Sequence, residues 1–333
     1  MTLNDMPVEE MQAYKPEPVE PSDFDSFWAR NLSRTRSQPI DARFVRADFG
    51  LRAIETYDVT FNGFEGQPVK GWFLLPRNRS GRLPCVIQYV GYGGGRGFPV
   101  DWLLWSCAGY ANLVMDSRGQ GSEWLKGDTS DLPPDGSPPH YPGFVTEGIL
   151  NPESYYYKRL ILDAVRAVDA ARSREEVDPM RVVVTGHSQG GGLSLAVAGL
   201  VNDLACVMPD APFLCDTRRA VRITDAKPYS EIVSFLRAHR DVGVKVFETL
   251  SYFDGVNFAR RARVRAYFSV ALMDEVCPPS TGYAAFNHYA GPKHLDLWEF
   301  SNHEAGGSHQ QVRQIGYMRT LFGAPAASKT RTS

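Results

Sequence analysis

Apolar residues fall along this 333-residue chain in short, almost unbroken runs, at 85–90, 111–115, 182–185, 204–208, 264–271 and 295–300. Runs without polar alternation fit strands covered on both faces, as in a parallel sheet. Two further strand-like runs, 53–61 and 69–75, are parted by Asn62-Gly63 and Glu65-Gly66, which predicts an antiparallel hairpin. Helical patterns fill most gaps, notably 155–171 and 310–321. Alternation of this kind predicts an α/β fold with a mostly parallel eight-stranded sheet and helices on both faces. The stretch 210–262, between the sixth and seventh runs, is too long for a simple crossover and is rich in helix formers, including 230–239 and 245–253. It predicts a helical insertion. Residues 1–45 look like an amino-terminal arm plus a helix capped at Ser22-Asp23, and 324–333 a disordered tail, leaving one domain over 1–323.

The run Val182-Val183-Val184-Thr185 leads directly into Gly186-His187-Ser188-Gln189-Gly190 and then a small, apolar helical stretch. This is G-x-S-x-G between a buried strand and a helix, the nucleophile elbow of the α/β-hydrolase fold, where flanking glycines remove Cβ atoms that a tight turn would not accommodate. A serine hydroxyl needs a general base, and the base needs an orienting acid. On this fold they follow the serine in the order acid, then histidine.

Five histidines follow Ser188, and the position of each separates them. His239 falls in the insertion, His288 in a helical run and His294 at the start of a strand. His303 lies in Ser301-Asn302-His303-Glu304, just beyond the carboxyl end of the last strand, where ligands collect in open parallel sheets. His309 is the nearest alternative. By the same rule Asp274, directly after Val270-Ala271-Leu272-Met273, is the candidate acid, ahead of Glu275, Asp254 and Glu304. An oxyanion hole needs two donors. The expected pair is the amide of Gln189, after the nucleophile, and that of Tyr92 in the loop Val90-Gly91-Tyr92-Gly93-Gly94-Gly95-Arg96-Gly97. That loop lacks the G-K-[ST] and the glycine spacing of a phosphate cradle, so no nucleotide cofactor is expected.

Composition narrows the partners. A net charge of −2 with scattered Lys and Arg gives no footprint for nucleic acid or an anionic membrane. No stretch approaches the roughly twenty apolar residues of a membrane span. The acidic, proline-broken start lacks the basic and apolar segments of a secretory signal, which predicts a soluble cytoplasmic protein. Five cysteines without a C-x-x-C pair predict buried thiols, with neither a disulfide framework nor a metal site.

"DSRGQGSE" (116–123), "GHSQGG" (186–191), "ETLSYFDGVNFA" (248–259), "LMDEVCPPST" (272–281), "NHYAGPK" (287–293) and "SNHEAGG" (301–307) together resemble the acetyl xylan esterase and cephalosporin C deacetylase family, carbohydrate esterase family seven. The resemblance spans nearly the whole chain. It implies Ser188 as nucleophile, Asp274 and His303 as relay, and the amides of Tyr92 and Gln189 as oxyanion donors. It implies a small acetylated substrate, such as a xylo-oligosaccharide or a cephalosporin C type acetate, no cofactor, and a homo-hexamer built as a dimer of trimers. Arg118 and Gln120 match the family's R-G-Q element as supporting residues, with turn bracing the competing role. Ala305, where the family often has glycine, and His187, at a variable position, are departures. The Tyr92 side chain beside the acyl group predicts a preference for acetyl over longer chains. A broad short-chain carboxylesterase or lactone hydrolase, or a non-catalytic scaffold of the same fold, are the alternatives.

Overall fold

The computed structural model describes residues 5–134 and 136–323; the tail expected over 324–333 lies outside them. Among the described residues, nine strands form one sheet: β1 (Arg43–Ala47), β2 (Ile54–Asn62), β3 (Pro68–Pro76), β4 (Leu83–Tyr89), β5 (Ala111–Met115), β6 (Val177–His187), β7 (Cys206–Asp210), β8 (Ala266–Ala271) and β9 (Lys293–Trp298). Their order is β1-β2-β3-β5-β4-β6-β7-β8-β9. β1 to β3 are antiparallel, β3 meets β5 antiparallel, and β5 through β9 run parallel. The hairpin expected around residues 62–66 is present, with Ile54 opposite Pro76 and Asn62 opposite Pro68.

The ninth strand is β1, which begins inside the stretch assigned to the arm. Its sequence, RFVRA, is exposed or half-exposed throughout. It is a short edge strand carrying charge, the kind that resists further pairing and leaves little apolar signal. Phe44 is its anchor, with its ring 5.4 Å from that of Phe73. The insertion therefore falls between β7 and β8, as the helices Thr217–Ile223, Tyr229–Ala238, Gly243–Ser251 and Gly255–Ala259.

The unbroken run in β6 has a direct packing explanation. Val182 and Val184 enter the large core with the helix Tyr156–Arg172, whereas Val183 points to the opposite face, with Val86, Trp105, Met208 and Met318. Successive residues of a strand face opposite sides, so a sheet covered twice needs apolar residues at every position. The amino-terminal segment ties down the insertion: Trp28 Nε1 donates to the Tyr252 carbonyl at 3.0 Å, Asn257 donates to the Val19 carbonyl at 2.9 Å, and Arg261 pairs with Glu20 at 2.9 Å. Asp23 precedes the helix Phe24–Arg36 but makes no side-chain cap; its carboxylate accepts the Tyr252 hydroxyl at 2.6 Å instead. Cys85, Cys206, Cys215 and Cys277 are buried thiols, and Cys107 is exposed. Among the described residues no helix is long and apolar enough to cross a membrane.

From β4 the chain runs outward to β5, then returns to the other side of β4 as β6 and continues to β9. The order of connection thus reverses between β4 and β6. The carboxyl ends of two neighbouring strands at such a reversal open a crevice where ligands bind.

Candidate active site

Ser188 sits at that crevice, between β6 and the helix Gln189–Leu200, with φ +59° and ψ −116°. A non-glycine residue in this region is strained and persists only where its surroundings hold it. The surroundings do so: the Ser188 N–H donates to the Asp210 carbonyl at 2.9 Å, and its own carbonyl accepts the amides of Gly192 and Phe213, each at 3.0 Å. The helix must start hard against β4. A Cβ on Gly190 would lie 2.2 Å from the Tyr89 carbonyl oxygen, which explains the second glycine of the motif.

Asp274 follows β8 and His303 follows β9, so both stand on the same edge of the sheet as Ser188. Asp274 Oδ1 accepts the amides of Val276 at 2.9 Å and Cys277 at 2.8 Å. His303 Nδ1 lies 3.0 Å from Asp274 Oδ1 and 2.9 Å from Oδ2. A carboxylate already receiving two amides accepts the Nδ1 proton, which leaves Nε2 of His303 with its lone pair. The other histidines after Ser188 are engaged elsewhere: His239 stacks on Phe235, His288 bonds the Pro16 carbonyl, His294 lies 3.3 Å from Asp296, and His309 lies beside Trp298.

The loop after β4 brings Tyr92 alongside. As the first residue of its helix, Gln189 has a backbone N–H without an intrahelical partner. One side chain connects the two regions. Gln120 accepts the Gly93 N–H at 2.8 Å and donates to the Gln189 side-chain oxygen and the Tyr156 hydroxyl, both at 2.9 Å. Gln189 in turn donates to the Val90 carbonyl at 3.1 Å and accepts the Tyr157 hydroxyl at 3.0 Å. Arg118 points away into the interior. It is fully buried, bonds Asp163 at 2.6 and 2.8 Å and Asp131 at 3.0 Å, and holds the Gln67 side chain. Gln120 thus braces the crevice itself, and Arg118 a buried ionic cluster behind it.

Four features were not assigned from the sequence. His187 donates from Nε2 to the His303 carbonyl, and the two rings meet edge to face with centroids 4.6 Å apart. Burial pushes the His187 imidazole down to about 4, with the nearby His303 adding to the effect, so it stays neutral at pH 7. Ala305 has φ +47°, in the left-handed region that favours glycine. Burial pushes the Cys277 thiol far above its usual range, and the neighbouring Ser188 hydroxyl opposes that shift. Beneath the elbow, burial also pushes the Asp210 carboxyl up to about 7, against the donated bonds of Gln314 at 2.8 and 3.0 Å. The Tyr155-Tyr156-Tyr157 run was the available signal for the hydroxyls that reach Gln120 and Gln189, because consecutive buried tyrosines must find partners.

The family model described as acetyl xylan esterase (AXE1) matches residues 1–321. An acetyl xylan esterase from a Paenibacillus species is 40% identical in sequence and superposes with a TM-score of 0.88, covering 95% of this chain and 99% of that one. Acetyl xylan esterase 1 from a Thermoanaerobacterium species is 30% identical with a TM-score of 0.86, covering 96% and 99%. Acetyl esterase Axe7A of Xylanibacter ruminicola is 28% identical over 87% of this chain; the match spans 65% of that protein's length. The chain therefore belongs to the acetyl xylan esterase family of carboxylic ester hydrolases.

Proposed function

We propose that this chain is a serine esterase that removes acetyl groups from small acetylated substrates through an acyl-enzyme. The observation that carries this is the Asp274–His303 pair on the same sheet edge as Ser188, itself held on a strained turn. Nε2 of His303 takes the Ser188 proton as Oγ attacks the acetyl carbon. Asp274 keeps the imidazole in the tautomer that leaves Nε2 free and stabilises the imidazolium that forms. The amides of Tyr92 and Gln189 receive the developing oxyanion. Collapse expels the alcohol with the proton from His303, and water repeats the sequence on the acetylated serine.

The preference for acetyl rests on Tyr92. Its ring packs on Phe144 and Phe213 at 5.9 and 6.4 Å, and its hydroxyl donates to Glu231 at 2.7 Å, so the ring has little freedom to swing aside. A slot already filled turns each added methylene from a gain of about 1 kcal/mol or more into a clash. With p-nitrophenyl acetate, butyrate and octanoate, kcat/KM should fall as the chain lengthens, and Tyr92→Ala should flatten that order. A parent enzyme that prefers butyrate or octanoate would establish the broad carboxylesterase instead.

Acetylated xylo-oligosaccharides and cephalosporin C type acetates are the substrates we assign, in the cytoplasm, and a homo-hexamer the assembly. The hexamer predicts a light-scattering mass about six times the 37.1 kDa of one chain. A mass near 37.1 kDa would contradict it.

A further inference from the structure

The loop 91–95 reads Gly-Tyr-Gly-Gly-Gly, so Tyr92 carries its only side chain. Glycine has the greatest backbone freedom, and a loop of this composition does not fix the direction of an N–H by itself. Its position has to come from outside. Two side chains brace the backbone: Gln120 receives the Gly93 amide, and Trp124 Nε1 donates to the Tyr92 carbonyl at 2.8 Å. Main-chain bonds act beside them, the Gly93 carbonyl accepting the amides of Gly121, Ser122 and Glu123 at 3.2, 3.2 and 3.1 Å and the Gly95 amide donating to the Leu125 carbonyl at 2.9 Å. A third side chain acts on that of Tyr92 and comes from the insertion.

Glu231 lies in the helix Tyr229–Ala238 and is 1% exposed. Its Oε2 accepts the Tyr92 hydroxyl at 2.7 Å. The same hydroxyl oxygen accepts the amides of Phe144 at 2.6 Å and Val145 at 3.2 Å, so its donor and both lone pairs are committed. The approach is close on the far side as well. Gly143 has φ +138°, and a Cβ there would lie 2.1 Å from Glu231 Oε2. Around the pair, the Phe213 ring stands 4.6 Å from that of Tyr229, and the Phe213 amide holds the Ser188 carbonyl. The first turn of the insertion helix is thus packed against the elbow.

Glu231 is costly for a residue that only fills space. Its second oxygen, Oε1, is buried with no hydrogen-bond partner among the described residues. An unpaired buried oxygen of a carboxyl group is destabilising, and burial raises this carboxyl above its usual range. A leucine or methionine would avoid that cost. What a carboxylate adds is a strong, directional acceptor for one phenol.

We propose that Glu231 is a positioning residue for ester hydrolysis: by holding the Tyr92 hydroxyl it fixes the Tyr92 N–H where the oxyanion forms. The inference rests on the serine esterase mechanism above. It makes the helix Tyr229–Ala238 of the insertion part of the acyl-transfer site, with the Tyr92–Glu231 hydrogen bond as the link to the oxyanion donor.

The test measures kcat and KM for p-nitrophenyl acetate in Glu231→Leu, Glu231→Gln, Tyr92→Phe and the Glu231→Leu/Tyr92→Phe double variant, each divided by its burst amplitude so that only competent sites count. Losing an oxyanion donor outright costs about a hundred- to a thousandfold in kcat, so a donor left loose should cost about tenfold, with KM within about twofold. Glu231→Leu and Tyr92→Phe should each show that loss, and the double variant no more than either. Glu231→Gln, which keeps an acceptor oxygen, should recover most of it. A residue that merely stabilises the fold would lower the melting temperature and leave kcat per site unchanged. Glu231→Leu within about twofold of the parent per site, or losses that multiply in the double variant, would overturn the proposal. Should Glu231→Leu fail to fold, an unchanged kcat per site in Tyr92→Phe overturns it equally. Ser188→Ala separates the two levels: activity surviving there removes the underlying mechanism, whereas an inactive Ser188→Ala beside a fully active Glu231→Leu removes only the role of Glu231.

Discussion

Ser188→Ala is expected to lower kcat for an acetyl ester by about a million-fold, the usual cost of removing the nucleophile from a residue set that acts as a unit. The change leaves the surrounding structure in place. The turn at φ +59° is held by backbone bonds to Asp210, Gly192 and Phe213, none of which uses the hydroxyl, and alanine fits the space that serine vacates. The variant should therefore keep its melting temperature and still bind substrate. What remains would come from the Tyr92 and Gln189 amides acting on attack by water, about a thousandfold above the uncatalysed rate. Purified variant retaining more than about a hundredth of parental kcat would assign the nucleophile elsewhere.

Changes in the relay should be nearly as severe, by two different routes. His303→Ala removes the base and should also cost about a million-fold. Asp274→Asn should cost about ten-thousandfold by reversing one hydrogen bond. The amides of Val276 and Cys277 both donate to Oδ1 of Asp274, so the asparagine places its oxygen there and turns its NH2 toward Nδ1 of His303. Nδ1 must then accept, the proton moves to Nε2, and the imidazole can no longer take one from Ser188. His309→Ala is the control. Its ring stands beside Trp298 in the first turn of the helix Gly307–Phe322, and its loss should change kcat by less than about twofold. A crippled His309→Ala beside an active His303→Ala would identify a different base.

The parts of this arrangement that were legible in the sequence are those set by local pattern and sheet topology. The run Val182-Val183-Val184 marked a strand covered on both sides, and the glycines around Ser188 marked the turn after it. Because parallel strands end on one edge, Asp274 and His303, each just past a strand, could be expected there without any knowledge of contacts. β1 was hidden because its arginines break the apolar pattern that a solvated edge strand does not need. Asp23 looked like a helix cap because the residue type fits, but a tyrosine in the insertion competes for its carboxylate. The contact of Glu231 with Tyr92 joins residues 139 positions apart through polar atoms, and such pairs leave no period to detect. His187 was noted as an unusual elbow residue, yet its bond to the His303 carbonyl depends on how the β6 and β9 ends meet in three dimensions.

The serine esterase mechanism passes through an acetyl group held covalently on Ser188, which can be observed directly. The protein is mixed with excess p-nitrophenyl acetate, quenched in acid during the burst of nitrophenolate, digested and sequenced by mass spectrometry. One added acetyl group is expected, on Ser188 within GHSQGG, appearing with the burst and absent from Ser188→Ala. Turnover with no acetylated Ser188 at any quench time, or a burst with the acetyl group on another residue, would contradict that mechanism.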